Sequence, residues 1–331
     1  MINSKGSLLT LAIPTFESHS TLFQLLEDLS NQWRNSFSGV IEILISDNDP
    51  FSNLESKLDL NFPLIRAQIN YHRNKINIGY DLNLCKLSKM ANGKYIKFIA
   101  DDDRVHSNFL QNLMDFLIKE PEFNILIHNF IEFENNVPFI QNSNEASKIQ
   151  KITNENMIDS LKETRGLYGQ VSSLTFRSSL IKCILPKHIT NYVHVFWFFS
   201  IFESGNVYLE NAFLVFVRRG SPNFSTDIIQ KISIPIGSLQ AIRDGLSKTS
   251  MLRSFVILEA QNYCFNLLKS LRYLNYVQKF KILLSYRNEF RRRPFILIKW
   301  VLFLAIPKFV YFIFLKQRES FQKIYDYFNR G

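Results

Sequence analysis

Apolar runs and helical stripes take turns along the first two thirds of the chain. Residues 8–13 are a short apolar run closed by Pro14 and Thr15, the pattern of a buried strand ending in a turn. Leu22, Leu25, Leu26, Leu29 and Trp33 then recur at helical spacing. A second strand is predicted over residues 40–45, followed by the turn residues Ser46, Asp47, Asn48, Asp49 and Pro50. A short helix over 52–58, a third strand around 65–71, a turn at Asn77 to Tyr80 and a helix over 81–90 come next. After Asn92 and Gly93 a fourth strand begins at Tyr95 and stops at three consecutive carboxylates, Asp101, Asp102 and Asp103. A helix over 109–119 and a strand over 123–128 follow. Strands alternating with helices predict βαβ units and an α/β fold built on a mostly parallel sheet flanked by helices.

The pattern loosens after that. Residues 135–152 are polar and read as an irregular loop, 168–177 as a strand, 191–199 as a helix ending near Gly205, and 207–217 as a last strand or pair of strands. From about residue 227 strand signals stop, and residues 236–286 show helical spacing. The expected organisation is an α/β domain over 1–225 and a helical region over 226–331.

Three side-by-side carboxylates repel one another and contribute nothing to a fold. Either they form a solvated loop, with Asp103 or Ser107 capping the next helix, or a hard divalent cation such as Mg²⁺ or Mn²⁺ neutralises them. Their position favours the cation. Glu17 follows the first strand, Asp47 ends the second and Asp101–Asp103 end the fourth. Ligands of open α/β sheets bind beyond the carboxyl ends of the strands, where these acids converge.

Composition adds a second theme. The 331 residues carry a net charge of +10, and 46% are hydrophobic, enough for a sizeable core. From residue 287 onward ten basic residues face three acidic ones, so the tail holds +7 of that charge. Residues 295–315 are apolar except for Lys299 and Lys308 and are interrupted by Pro307; Arg291, Arg292 and Arg293 precede them, and Lys316 and Arg318 follow. A basic, aromatic-rich segment of this kind, about 291–318, fits monotopic attachment to an anionic membrane surface better than a span or ordinary packing. Cys85, Cys183 and Cys264 make no Cys-x-x-Cys pair, which points to a reducing compartment and no structural zinc; no secretory signal peptide is expected at the start.

The N-terminal half resembles the family 2 glycosyltransferases, which have the GT-A fold. The matching pieces are Ile13-Pro14-Thr15-Phe16, Ile45-Ser46-Asp47-Asn48, Asn77-Ile78-Gly79-Tyr80-Asp81-Leu82-Asn83, Asn92-Gly93-Lys94-Tyr95 and the aspartate run. They cover residues 8–130 well and continue more weakly to about 225. The Ser-Asp-Asn form of the second piece is similar to bacterial transferases that build O-antigen, including those for dideoxyhexoses such as abequose. The resemblance implies a nucleotide-diphosphate sugar as donor and a divalent metal, Mn²⁺ or Mg²⁺. It places Thr15, Phe16 and Glu17 in the nucleotide pocket, Asp47 on the base, and Asn77, Gly79 and Asn83 in the wall near the ribose. Asp101, Asp102 and Asp103 stand at the Asp-x-Asp position. The family pattern has an acid one place earlier, where this chain has Ala100. Two alignments therefore stay open, Asp101 with Asp103 or the pair Asp102 and Asp103, with Asp103 the preferred metal ligand and Asp102 next.

The family's acceptor side carries a carboxylate base, but here only His194 stands near that place, either a general base or a core histidine. The other histidines show no metal-site spacing. Arg218 and Arg219 either reach the diphosphate, which guanidinium matches in a bidentate way, or belong to a charged turn. The implied partners are a nucleotide sugar, a lipid-linked glycan acceptor and the cytoplasmic face of the bacterial inner membrane. A basic nucleic-acid-binding protein or a non-catalytic membrane scaffold is the alternative. The first leaves the acidic strand ends unexplained, because carboxylates repel phosphates.

Overall fold

A computed structural model describes residues 6–134, 149–153, 155–163, 167–219, 237–238, 240–247 and 249–255. All of them belong to one compact unit, residues 1–225 with 236–257. The expected helical tail beyond 255, with its segment 291–318, lies outside the described residues.

The described strands form one nine-stranded sheet. Its first half is parallel: β3 (Ile69–Arg73), β2 (Ile41–Asp47), β1 (Leu9–Thr15) and β4 (Tyr95–Phe98) lie side by side in that order. β8 (Leu174–Arg177) runs antiparallel between β4 and β6 (Ile125–Phe133). β9 (Val207–Arg218) lies parallel to β6 and antiparallel to the short β5 (Arg104–Val105) and to β7 (Ile149–Ile152).

Side chains of the central strands alternate between two cores, as a period of two dictates. Leu9, Leu11, Ile13, Ile41, Ile43 and Ile45 pack on one face with α1 (His19–Asn31), α2 (Leu54–Asn61) and α4 (Phe109–Lys119). Ala12, Leu44, Ile96 and Phe98 point the other way, against α3 (Tyr80–Met90) and α7 (Val193–Ile201). Burial on both faces explains why β1 and β2 read as continuous apolar runs. Two short helices, α5 (Met157–Glu163) and α6 (Ser178–Ile181), complete the described elements.

One polar residue pair inside the sheet is fully explained. Thr10 Oγ donates to Glu42 at 2.6 Å, and the Glu42 carboxylate also accepts the Asn92 main-chain and side-chain N–H groups at 2.9 and 2.8 Å. Gly93 lies so close to β1 that an added Cβ would stand 2.5 Å from the Thr10 nitrogen. This is the physical reason for the Asn92-Gly93 turn before β4.

The structure shifts the third strand. Residues 66–68 form a 3-10 turn, so β3 starts only at Ile69. The predicted loop 135–152 ends in the edge strand β7, and the predicted strand 168–177 is a 3-10 turn at Val171–Ser173 followed by β8. The last strand is single and runs to Arg218. No helix among the described residues is long and apolar enough to cross a membrane.

Candidate active site

The parallel strands deliver their carboxyl ends to one edge. Thr15 pairs with Asp47 in register, and Asp47 with Arg73. Beyond the ladder, Asn48 N–H donates to Thr15 O and Asn74 N–H to Asp47 O, each at 2.8 Å. The fourth strand closes on the same place: Ile99 N–H donates to Ala12 O at 3.1 Å, and Phe16 N–H reaches Asp101 Oδ2 at 3.4 Å. Thr15 to Glu17, Asp47 and Asp101 to Asp103 thus share a rim although up to 88 positions separate them in sequence. Glu17 is exposed with φ of +55°, a left-handed turn that ends β1 abruptly.

Behind that rim lies a buried polar web. Asp47 is fully buried; its carboxylate accepts Asp49 N–H at 2.9 Å and the Tyr71 hydroxyl at 3.0 Å. Burial and the Asp47 charge push the Tyr71 hydroxyl up to about 12, so it keeps the proton it donates. Asn48 and Asn74, absent from the expected site, hold this web together. Asn48 bonds Gly79 O, Ile78 N–H and Asn74, while Asn74 bonds Asn83 and receives Lys86 Nζ at 2.5 Å. Asn83 is buried and spans to Ser46 through both its amide oxygen and its amide nitrogen, at 2.6 and 3.0 Å. It supports the wall from behind. Asn77 is exposed at the front and accepts Gly79 N–H at 2.9 Å. Gly79 enters α3 with φ of +82°, a conformation that L side chains rarely adopt.

The three aspartates face different partners. Asp101 accepts Phe16 N–H at 3.4 Å. Asp103 accepts Arg218 N–H at 2.9 Å. Asp102 between them stays partly exposed. Burial, opposed by these hydrogen bonds and reinforced by the Asp102 charge, raises both Asp101 and Asp103 to about 7. Among the described residues no group of three or more His, Cys, Asp or Glu side chains converges on one point. The protein therefore offers a divalent cation one or two carboxylates here. That suffices for Mg²⁺ or Mn²⁺ when substrate phosphates complete the shell, and desolvated, mutually repelling carboxylates are the donors such a cation would relieve. The aspartate run fits the ion on that ground.

Arg218 closes the rim from the far side of the sheet, carried there by β9 and its pairing with β5. Its Nε donates to Asp102 O at 2.9 Å, a terminal nitrogen reaches Gln24 at 3.1 Å, and the guanidinium lies 4.6 Å from the Phe133 ring centre. It binds the aspartate loop itself. Arg219 is exposed and paired with Glu132.

His194 sits in the core. It is 3% exposed, its Nε2 donates to Gly169 O at 3.1 Å, and the rings of Tyr192 and Tyr80 stand at 5.7 and 6.3 Å. Burial pushes the imidazole down to about 4. This is the environment of a packed histidine, and its Nδ1 has no hydrogen-bond partner among the described residues. The residue that organises the neighbourhood is Asp81, which the sequence placed in the Asn77–Asn83 piece without a role of its own. Fully buried in the first turn of α3, it accepts the N–H groups of Thr190, Asn191 and Val193 at 2.7, 2.9 and 3.0 Å and so caps α7.

A mostly parallel α/β sheet whose acidic strand ends meet on one carboxyl edge is an architecture of the GT-A type. Residues 10–184, just over half of the chain, match the model for Glycosyl transferase family 2, and the chain belongs to that family. It is 34% identical over 115 residues to the abequosyltransferase RfbV of Salmonella typhimurium, a match that spans about a third of either chain, 33% of this one and 32% of the relative. Its fold is similar to that of a mannosyltransferase, PcManGT from Pyrobaculum calidifontis, solved with GDP-Man and Mn²⁺ (TM-score 0.53, 10% identity, covering 91% of this chain and 87% of the other). It is also similar to S. aureus TarS, solved with UDP-GlcNAc (TM-score 0.50, 13% identity, 84% and 85% covered).

Proposed function

We propose that this chain transfers a hexosyl or deoxyhexosyl residue from a nucleotide-diphosphate sugar to a hydroxyl of a glycan acceptor, in the synthesis of a bacterial surface polysaccharide such as O-antigen or capsule. The observation that carries the reading is the junction of three strand ends: Thr15 in register with Asp47, and Phe16 N–H on Asp101. The abequosyltransferase relative supports the polysaccharide assignment.

On this reading Thr15, Phe16 and Glu17 line the nucleotide, Asn77 and Gly79 form the wall beside the ribose, and Asp47 meets the base with a lone pair left free by Asp49 and Tyr71. Asp103 and Asp102 would hold a Mn²⁺ or Mg²⁺ ion. That ion, when bound, neutralises the diphosphate leaving group. Arg218 fixes the aspartate loop through Asp102 O and Asp103, so that the carboxylates stay aimed without rearrangement. Inverting transfer needs a base for the acceptor hydroxyl.

The acceptor is a lipid-linked glycan at the cytoplasmic face of the inner membrane, approached through the basic segment about 291–318, with attachment that is peripheral or monotopic. Acidic strand ends would repel a nucleic-acid backbone. The test is turnover. Incubated with Mn²⁺ and a panel of UDP-, GDP-, CDP- and dTDP-sugars, the full chain is expected to release nucleoside diphosphate from one donor class, faster when lipid-linked oligosaccharide is added. No release from any donor, with or without acceptor, would overturn the reading.

A further inference from the structure

The aspartate run stands on a buried brace that no catalytic role has yet absorbed. Lys97, on β4, is fully buried, and its ammonium donates to the main-chain oxygen of Ser172. Fully buried lysines are rare unless paired. This one faces Glu210 of β9, whose carboxylate meets His128 Nδ1 at 2.8 Å, and His128 Nε2 in turn meets Thr175 Oγ at 3.0 Å. All four residues are buried. The Lys97 ammonium fixes the Ser172 main chain from below.

Ser172, itself 1% exposed in the 3-10 turn Val171–Ser173, then holds the aspartate loop at its start. Its hydroxyl accepts Ala100 N–H at 2.8 Å. The loop is closed by Asp103 N–H on Ala100 O at 3.2 Å. Asp103 is thus held at its carboxylate by Arg218 N–H and, through Ala100, at its main chain by Ser172.

Resting on the reading that Asp103 holds the cation, we infer that Ser172 is a positioning residue for the loop that carries that carboxylate, so that its hydroxyl, seated by Lys97 and bonded to Ala100 N–H, sets the affinity of the rim for a divalent ion. Partners that orient a metal ligand change metal affinity about 10–100-fold when removed.

The probe is Mn²⁺ alone, titrated into the full chain, with free Mn²⁺ read by electron paramagnetic resonance and melting temperature measured in parallel. Ser172→Ala is expected to weaken Mn²⁺ binding about 10–100-fold, and Ser172→Thr, which keeps the hydroxyl, to stay within about 3-fold of the native chain. A Ser172→Ala protein that binds Mn²⁺ as tightly as the native chain would overturn the assignment. So would a folded Ser172→Thr protein as weak as Ser172→Ala, because packing and not the hydroxyl would then set affinity. A native chain that binds Mn²⁺ while Ser172→Ala is indifferent leaves the cation reading standing and sinks only this one. A native chain that binds none sinks both.

Discussion

Replacing Asp103 with Ala is expected to lower sugar transfer at saturating donor by about 10²–10³-fold, the several kcal/mol that a cation supplies to a departing diphosphate. The fold should survive. Asp103 is buried and its carboxylate is raised to about 7, so the native state holds it at a cost. Removing it ends that cost and leaves one main-chain donor, Arg218 N–H, without its acceptor, a loss of about 1–3 kcal/mol. The two terms oppose each other, and melting temperature should move little. Asp103→Asn keeps an acceptor for Arg218 N–H and should be closer still to native stability, yet inactive. Nucleoside diphosphate release together with thermal melting checks this. Turnover of Asp103→Ala within a few-fold of the native rate would remove Asp103 from the chemistry.

The largest effect on stability is expected at Trp197. It is completely buried on α7, stacks on Phe98 of β4 at 5.6 Å and 21°, meets Phe176 of β8 edge-on at 6.3 Å, and donates its indole N–H to Ile184 O at 3.0 Å. It therefore ties α7 to the sheet directly beneath the aspartate run. Trp197→Ala leaves a cavity and an unpaired carbonyl, a loss of about 3–5 kcal/mol, which is a large part of an ordinary domain's stability. Trp197→Phe keeps most of the stack and should lose clearly less. Urea denaturation of both variants measures this. A Trp197→Ala midpoint near native would mean that α7 is not held by this contact.

The parts of the fold that were legible in sequence have one cause in common: strong, uninterrupted burial. β1 and β2 are buried at every position, and α4 carries a clean apolar stripe with Phe109, Leu110, Leu113, Met114, Phe116 and Leu117 buried. Short elements that depend on a partner strand were not legible. β5 is two residues long and β7 is four, and both exist because β9 runs beside them. The acids of the rim could be read because each follows an apolar run. Their supports could not. Asp81 caps a helix 112 positions away, and Lys97 sits inside a strand run where only the fold shows what its ammonium meets. His194 is the reverse case. Its neighbours Val193, Val195, Phe196, Trp197, Phe198 and Phe199 are all buried, and an apolar surround of that density marks a core position.

A cation and a nucleoside diphosphate docking where Thr15, Asp47 and Asp101–Asp103 meet is the proposition on which the mechanism stands. Thermal melting of the full chain with UDP, GDP, CDP and dTDP, each with and without Mn²⁺, tests it without an acceptor. A ligand that binds only the folded state raises the melting temperature, by the equivalent of about 2.7 kcal/mol at a hundredfold excess over its Kd. The account predicts a rise for one nucleotide, larger with Mn²⁺ and absent in Asp103→Ala. Melting that is unchanged by every nucleotide, with metal or without, would contradict it.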